Sequence, residues 1–410
     1  MKQKVRFIKW LLPLLVFVFA FTACKGNATE QPSAEPTSTS VTKPTEVKPT
    51  EVEPTSELTE EITEVVEVPK QESETQNITP TQPTIETDRK IVMKEPLITH
   101  IYTADPSAHV YEGKLYIYPS HDLDQDAPST EDGDQYAMVD YHVFSLDNME
   151  SLPVDHGQVL HVDDVPWATK QMWAPDAAFK DGTYFFYFPA KDTDGIFRIG
   201  VATSKSPAGP FVPQAEPIQG SVSIDPAVFI DDDGQAYMYF GGLWGGQLEN
   251  WSTGSYDPNG KEPGAKEPAM GPKVAKLSPD MLGFEGPILE ISITDKNGNP
   301  ILAGDHVRRF FEGSWMHKYN GVYYLSYSTG DTHFIAYATS ENPTGPFVFR
   351  GYILNPVLGW TTHHSIVEFQ GKWYLFYHDS SLSGGVSHKR NIKIAELIYN
   401  EDGTIQTLDP

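Results

Sequence analysis

The residues with the clearest potential for chemistry are carboxylic acids that stand among bulky apolar side chains. Glu312 follows Phe310-Phe311 and precedes Gly313-Ser314-Trp315, just before a strand-turn-strand pattern. Apolar surroundings remove water from a carboxylate, so the pKa of Glu312 should rise and the group should stay protonated near neutral pH. A protonated carboxyl is what general acid catalysis requires. On this stretch alone, an ion pair with Arg308 or Arg309 is an equally good interpretation.

The elements that must position this acid are β-hairpins, which recur through the second part of the chain. Apolar runs flank an Asn-Gly or Asp-Gly turn, or another turn that ends in glycine, and such turns are the strongest short-range hairpin signal. The segment 199–212 also matches 335–348, which adds a further strand to each repeat. Repeated small antiparallel sheets predict an all-β five-bladed β-propeller, with a β-sandwich as the alternative. The five hairpins cover residues 110–118, 178–187, 228–239, 318–325 and 367–377.

Chemically active residues hold the same position in each of the five repeats. Eight or nine residues before each turn glycine, the sequence has Asp105, Trp173, Asp225, Glu312 and His363 in turn. The innermost strands of a propeller line its central channel, so these side chains should meet in one cavity. Asp105 and Asp225 each precede a proline, which predicts extended backbone at the start of a strand. An ordinary Asp-Pro turn is the alternative for each of them.

Two tryptophans and an acidic run complete the candidates that come from the residues alone. Trp173 and Trp244 could stack against sugar rings, or they could be part of the core of a blade. The run from Asp122 to Asp126 suggests an EF-hand, but Ala127 stands where that loop needs glycine and Gly133 where it needs glutamate. We therefore predict an exposed acidic loop near the rim of the propeller.

The contexts of Asp105, Asp225 and Glu312, with the stretch His363-His364-Ser365, resemble glycoside hydrolase family 43 over residues 95–410. The resemblance implies a five-bladed propeller and an inverting enzyme that releases xylose or arabinofuranose from plant polysaccharides. It implies that Asp105 is the general base, Glu312 the general acid and Asp225 the carboxylate that tunes and orients that acid.

The same resemblance implies roles for three further residues. His363 would lie in the central cavity beside a calcium ion held mostly by water, since calcium prefers oxygen ligands, or beside a water cluster. Arg390 and His364 would bind substrate. The alternatives are a buried neutral histidine that donates to a carbonyl and a surface arginine. We expect no organic cofactor.

Several functions remain open at this level. An exo-acting β-xylosidase or α-L-arabinofuranosidase is favoured, because the long insertion at 242–281 can close a groove into a pocket. An endo-arabinanase is the alternative within the same fold, and a non-catalytic sugar-binding surface lipoprotein is the alternative in another class. Thr103-Ala104-Asp105-Pro106 lacks the Asn-Asp-Pro-Asn-like start expected of fructan hydrolases.

The first part of the chain indicates where the protein is located rather than what it catalyses. Basic residues, a short apolar run and small residues before Cys24 predict a lipoprotein-type signal peptide over 1–23, with simple cleavage near Ala23 as the alternative. Residues 24–90 repeat Pro-Thr-Glu and predict a disordered acidic tether. The glycosidase domain would then span 91–410, held by lipid at a bacterial cell surface and expected to be monomeric. The net charge of −26 argues against nucleic-acid partners.

Overall fold

Five small antiparallel sheets form the part of the chain that the structure describes. The computed structural model describes residues 95–410, so the predicted signal peptide 1–23, Cys24 and the whole tether 24–90 lie outside the described residues. Within 95–410, no helix is long and apolar enough to cross a membrane. The only helical elements there are three single 3₁₀ turns, at Val162–Asp164, Trp244–Gly246 and Glu249–Trp251.

Each sheet is a blade, and its strands follow one another in chain order from the inside outwards. Blade 1 contains β1 (Tyr102–Tyr111), β2 (Lys114–Asp122), β3 (Asp140–Leu146) and β4 (Val154–His161). Blade 2 contains β5 (Asp176–Lys180), β6 (Thr183–Lys191), β7 (Phe197–Ser204) and β8 (Val212–Pro213). Blade 3 contains β9 (Ala227–Ile230), β10 (Ala236–Phe240), β11 (Lys273–Leu277) and β12 (Phe284–Glu290).

The last two blades depart from this four-stranded pattern. Blade 4 has an additional short strand, β13, which pairs in parallel with the outermost strand of the blade. Its strands are β13 (Ile293–Thr294), β14 (Phe310–Tyr319), β15 (Val322–Thr329), β16 (Ile335–Ser340) and β17 (Phe347–Leu354). Blade 5 has three strands: β18 (His364–Phe369), β19 (Lys372–Asp379) and β20 (Asn391–Leu397).

The hairpin turns form where the sequence predicts them. Between β14 and β15, Asn320 and Gly321 have φ of +49° and +78°. Positive φ at both central residues is the type I′ geometry that matches the twist of the flanking strands. The Asn-Gly pair therefore sets the register in which Tyr319 pairs with Val322.

The innermost strands close into a ring. β1, β5, β9, β14 and β18 contact one another in that order, and β18 contacts β1 again. The segment before β1 and the start of β1 join the three-stranded blade, since Leu97 N–H donates to the Ile392 carbonyl at 2.8 Å and Thr103 N–H to the Arg390 carbonyl at 2.9 Å. A closed ring of five sheets confirms the predicted five-bladed propeller and rules out the β-sandwich.

Aromatic side chains fill the space between neighbouring blades. Between blades 1 and 2, the fully buried rings of Tyr141 and Phe186 pack edge to face, with centroids 4.9 Å apart. The buried Tyr141 hydroxyl donates to the Trp173 carbonyl at 2.7 Å, so its polar atom is satisfied. Such rings each remove about 150–250 Å² from water, and they fix the distance of the blades from the axis.

Candidate active site

The five positions that stand in phase in the sequence do meet at one end of the channel. Asp105, Trp173, Asp225, Glu312 and His363 all line a single cavity of about 510 Å³. Arg390 and Trp244 line it too, but His364 does not. Other residues that line this cavity are Tyr136, Met138, Leu243, Phe311, Trp360 and Thr361.

Asp105 reaches the cavity through a β-bulge. The register between β1 and β2 shifts between Ala104 and Ser107, and bulges of this kind redirect a side chain. Asp105 has φ of +50° and Asp225 has φ of +56°, so the prediction of extended backbone before proline is wrong. Aspartate tolerates the left-handed region better than most residues, and at Asp105 the hydrogen bonds made by the turned residue offset the cost.

The Asp105 carboxylate is held from both sides. Ser120 Oγ donates to its Oδ2 at 2.6 Å, and Arg390 Nη1 donates to its Oδ1 at 3.0 Å. Burial by itself would raise the pKa of Asp105, but the Arg390 guanidinium and the His363 imidazole oppose it, and the pKa lies well below its ordinary value. The carboxylate is therefore ionised throughout the neutral range.

Arg390 is itself fixed by a second buried carboxylate. Asp122 accepts from Arg390 Nε and Nη2, both at 2.8 Å, and also from the Arg390 backbone N–H at 2.9 Å. Paired donors on one carboxylate give an arginine a fixed orientation. The two carboxylates raise the pKa of Arg390 although burial opposes this, so the positive charge is permanent.

The prediction that the run from Asp122 to Asp126 is an exposed acidic loop is therefore only partly correct. Asp122 ends strand β2 and is buried, because its carboxylate is the partner of Arg390. Asp124 and Asp126 are exposed, and they lie 2.8 and 3.7 Å from Lys389 Nζ. Arg390 was predicted to bind substrate, and the structure shows that it lies in the cavity with its donors directed mainly at Asp122 and Asp105.

His378 holds the backbone of Asp105. Its Nδ1 accepts the Asp105 backbone N–H at 3.0 Å, and its Nε2 lies 3.0 Å from the Thr361 carbonyl oxygen. This pattern requires a proton on Nε2 and a bare Nδ1, and burial lowers the pKa of His378, which favours the neutral ring. The 3.2 Å approach of Nδ1 to Asp105 Oδ1 is then a contact between two acceptors and not a hydrogen bond.

Glu312 occupies a bulge of β14, and the ion pair considered as an alternative does not form. The register with β15 shifts on both sides of Glu312. Arg308 pairs with Asp305 instead, and Arg309 Nη1 donates to Glu262 Oε2 at 2.6 Å. Burial first, and then the negative charge of Asp225, raise the pKa of Glu312 to about 8. At neutral pH this carboxyl carries a proton.

Gly313 makes this bulge possible. Its φ is +66°, and a Cβ there would come within 3.1 Å of His363 Cδ2. The free N–H of Gly313 donates to Asp225 Oδ2 at 2.9 Å. Burial raises the pKa of Asp225 to about 6 against the opposing charge of His363. One short backbone segment thus places Glu312 beside the carboxylate that keeps it protonated.

The two adjacent histidines separate into different environments. His363 lines the cavity, and its Nδ1 lies 3.5 Å from Asp105 Oδ1. Burial opposes the charged form, but Asp225 and Asp105 outweigh it and raise the pKa of His363. His364 points away, is fully buried, and has its Nε2 2.6 Å from Ser326 Oγ. The prediction that His364 binds substrate in this cavity is therefore wrong, because its buried side chain faces Ser326 and does not line the cavity.

Three tryptophans form the walls of the cavity. Trp173 is held by a hydrogen bond from Nε1 to the Tyr136 carbonyl at 2.8 Å. Trp244, in the 242–281 insertion, is 40% exposed, and its Nε1 donates to Glu262 Oε1 at 2.6 Å. Trp360 is 46% exposed and meets the His333 ring edge to face with centroids 4.7 Å apart. Partly exposed rings with fixed edges are suited to stack against sugars.

Four supporting residues were missed by the sequence analysis: Asp122, Ser120, His378 and Trp360. Ser120 and Asp122 are two residues apart on β2, so their side chains face the same side of the sheet. The alternation of the strand could therefore have indicated that Asp122 lies on the same face as Ser120. Nothing in the sequence marks His378 or Trp360, because their positions depend on how blade 5 meets blade 1 and blade 4.

A propeller whose axial cavity holds several carboxyls, one protonated and one ionised, with tryptophan walls, defines a glycoside hydrolase. The family model for glycosyl hydrolases family 43 matches residues 93–405. The chain therefore belongs to glycosyl hydrolase family 43, and it is a glycosidase of the xylosidase/arabinosidase type.

Relatives with assigned activities agree with this placement. The chain is 61% identical to "Xylosidase/arabinosidase 43A" of Humicola insolens, over 77% of this chain and 99% of that protein. It is 50% identical to a β-xylosidase of Xylanibacter ruminicola, over 75% of this chain and 97% of that protein. A family 43 β-xylosidase/α-arabinofuranosidase from a compost microbial metagenome, solved with xylotriose in a calcium-free form, has a TM-score of 0.76 at 64% identity, covering 77% and 97% of the two chains.

Proposed function

We propose that the protein is an inverting, exo-acting hydrolase that removes terminal β-xylosyl and α-L-arabinofuranosyl units from xylan-derived oligosaccharides. The observation that carries the proposal is the opposite displacement of two pKa values in one cavity. The pKa of Asp105 is held well below its ordinary value, and the pKa of Glu312 is raised to about 8. The named activities of the relatives and the xylotriose bound to one of them support the choice of sugar.

Asp105 is proposed as the general base. Inversion needs one ionised carboxylate that activates a water on the face of the sugar opposite the leaving group, about 6.5–9.5 Å from the acid. Ser120 and Arg390 hold Asp105 by direct hydrogen bonds. They occupy oxygen lone pairs but leave others for a water, and they fix the direction from which the proton is taken.

Glu312 is proposed as the general acid, and Asp225 as the residue that tunes and orients it. Glu312 would donate its proton to the glycosidic oxygen as the bond to the sugar carbon breaks, so that the leaving alcohol departs neutral. The Asp225 carboxylate accepts a hydrogen bond from the backbone N–H of Gly313, which is the residue after Glu312. Its charge disfavours ionisation of Glu312, and its backbone contact fixes the bulge that presents the acid.

The insertion at 242–281 supports exo action. Trp244 is tied to Glu262, which is in turn tied to the buried Arg309. A tryptophan braced in this way closes one side of the cavity, whereas an endo-arabinanase needs an open groove. We therefore assign Trp173 and Trp244 to the walls of the sugar-binding pocket.

We propose that a structural calcium ion binds beside His363. The imidazole lines the cavity, with Nδ1 3.5 Å from Asp105 Oδ1, and a calcium ion beside it would be held mostly by water. Bound there, calcium would supply positive charge near Asp225 and Asp105. Titration of the chelator-treated protein with CaCl₂ tests this, and absence of heat and of any change in thermal stability would reject it.

The cellular location of the enzyme is proposed from the sequence of its first 90 residues. A signal peptide over 1–23, a lipid on Cys24 and a tether over 24–90 would hold the glycosidase domain at a bacterial cell surface as a monomer. Labelling of cells with a fatty-acid analogue tests this, because Cys24→Ala should abolish the label. Size-exclusion chromatography with light scattering tests the monomer.

Release of nitrophenol from β-xylosides and α-L-arabinofuranosides, with the product anomer followed by NMR, tests the activity. Hydrolysis of a β-xyloside should give α-xylose first, because a single displacement inverts the anomeric carbon. β-Xylose as the first product would overturn the proposed roles of Asp105 and Glu312. Xylotriose digested from one end, with no internal cleavage of longer arabinan, distinguishes exo from endo action.

A further inference from the structure

A cluster of histidines and aspartates lies in blade 1 outside the catalytic cavity. His121 is the last residue but one of β2, and Asp140 and His142 lie at the start of β3. One ligand-type atom from each of these three side chains lies within 4.8 Å of the other two. His121 and His142 have side chains 18% and 17% exposed, so an ion from solution could reach them. We refer to His121, Asp140 and His142 as the blade 1 cluster.

The hydrogen bonds of the blade 1 cluster arrange its nitrogen atoms. His121 Nδ1 lies 2.6 Å from Asp140 Oδ1, a contact in which a cation could replace the shared proton. The rings of His121 and His142 lie at 65° to each other, with centroids 5.1 Å apart. Two imidazoles at a steep angle can direct nitrogen lone pairs at one point without their rings colliding.

Asp155, on β4, stands behind the cluster. It accepts from the Gly157 N–H at 2.7 Å and from His100 Nε2 at 2.8 Å. His142 Nδ1 lies 3.2 Å from Oδ1 of the same Asp155 carboxylate. In the tautomer that donates from Nδ1, His142 leaves Nε2 free as a ligand atom. A carboxylate behind a histidine is how proteins orient metal-binding imidazoles.

We propose that the blade 1 cluster binds one divalent transition-metal ion of the zinc class, with His121, Asp140 and His142 as its protein ligands. Two imidazoles and one carboxylate are a ligand set of zinc and its neighbours in the first transition series. Calcium and magnesium take oxygen ligands almost exclusively. The site is therefore distinct in chemistry and in place from the calcium proposed beside His363.

The position of the cluster gives such an ion a structural effect. His121 and His142 belong to different strands, and Asp155 connects His142 to His100 in the segment before β1. An ion bound there would hold β2 against β3 and would brace the segment before β1. Because a ligand that binds only the folded state raises stability, zinc should raise the melting temperature.

The experiment uses the purified protein after removal of metals with a chelator. Calorimetric titration with ZnCl₂ should show one ion per chain, and CoCl₂ should give visible absorption bands of nitrogen-ligated cobalt. His121→Gln and His142→Gln should each lose this binding and the zinc-dependent rise in melting temperature. Asp155→Asn should keep the ligands and weaken binding by about 10–100-fold, the usual effect of an outer-sphere partner.

Two controls exclude other sites. His306→Gln removes a histidine whose Nδ1 lies 2.6 Å from Asp331 Oδ1, the same pairing as in the blade 1 cluster but outside it. Glu312→Gln removes a carboxyl of the catalytic cavity. Both variants should bind zinc like the parent protein.

The outcomes decide the proposal in both directions. Loss of zinc binding in the two cluster variants, with unchanged melting temperatures in the absence of metal, supports it. Unchanged zinc binding in those variants, loss of binding in Glu312→Gln, or calcium bound as tightly as zinc at the cluster would overturn it. A cluster variant that fails to fold leaves the decision to Asp155→Asn, since unaltered affinity in that variant also contradicts the proposal.

Discussion

Replacement of Asp225 by asparagine tests the electrostatic basis of the proposed acid. Asparagine keeps an oxygen that can accept the Gly313 N–H, which Asp225 Oδ2 now accepts at 2.9 Å. It removes the negative charge that, after burial, contributes most to the raised pKa of Glu312. The change therefore separates the charge of Asp225 from its contact with the bulge.

The size of the effect follows from Coulomb's law. Two unit charges about 5–8 Å apart at an effective dielectric constant of about 20 interact by about 2–3 kcal/mol. Each pKa unit corresponds to about 1.36 kcal/mol, so loss of the Asp225 charge should lower the pKa of Glu312 from about 8 to about 6. Burial remains, so the pKa should stay above its ordinary value.

The assay is the pH dependence of kcat on a nitrophenyl xyloside. A general acid works while protonated, so activity is lost as pH rises through its pKa. The alkaline limb should fall by about two pH units in Asp225→Asn, and kcat at pH 7 should fall by roughly tenfold while activity near pH 5 is less affected. Asp232→Asn, which removes the same charge from an exposed side chain, is the control. An alkaline limb that stays within a few tenths of a pH unit of the parent would refute the reasoning.

Four further substitutions test other parts of the site. Glu312→Gln and Asp105→Asn should each lower kcat by at least about 100-fold, as loss of an acid or base does, while calorimetry still detects xylotriose binding; near-parental turnover would reject the roles. Asp122→Ala should lower the free energy of unfolding by about 3–5 kcal/mol in urea denaturation, because it leaves buried Arg390 with one carboxylate fewer. Gly313→Ala should cost about 1–2 kcal/mol for its positive φ and lower kcat more than KM rises; an unchanged kcat would show that the bulge does not position the acid.

The sequence predicts this fold well because its signals are local. Asn320-Gly321 fixes a hairpin without help from other blades, and five such hairpins in phase require a closed repeat. The positions of Asp105, Asp225 and Glu312 follow from that phase alone. Their meeting in one cavity could therefore be predicted before any coordinates were known.

The details that local signals miss depend on contacts between blades. The positive φ of Asp105 follows from a bulge whose N–H donates to His378 in blade 5, and proline propensity cannot show this. The role of His364 is predicted wrongly because its side chain faces Ser326 of blade 4, a contact between blades that no local pattern reveals. Asp122 looked like part of an exposed loop because its partner, Arg390, lies 268 residues further along the chain.

The balance of charge in the cavity explains why the acid and the base differ. Arg390 is bonded to Asp122 and to Asp105, and its positive charge helps to keep Asp105 ionised. Asp225 and Glu312 then have only the more distant Arg390 charge and His363 to compensate them in a buried space. Two negative charges there are too costly, so one proton stays on the pair. It stays on Glu312 because Asp225 has the Gly313 N–H to stabilise its anion, while Glu312 has no such donor among the described residues. The Gly313 N–H therefore determines which carboxyl of this pair acts as the acid.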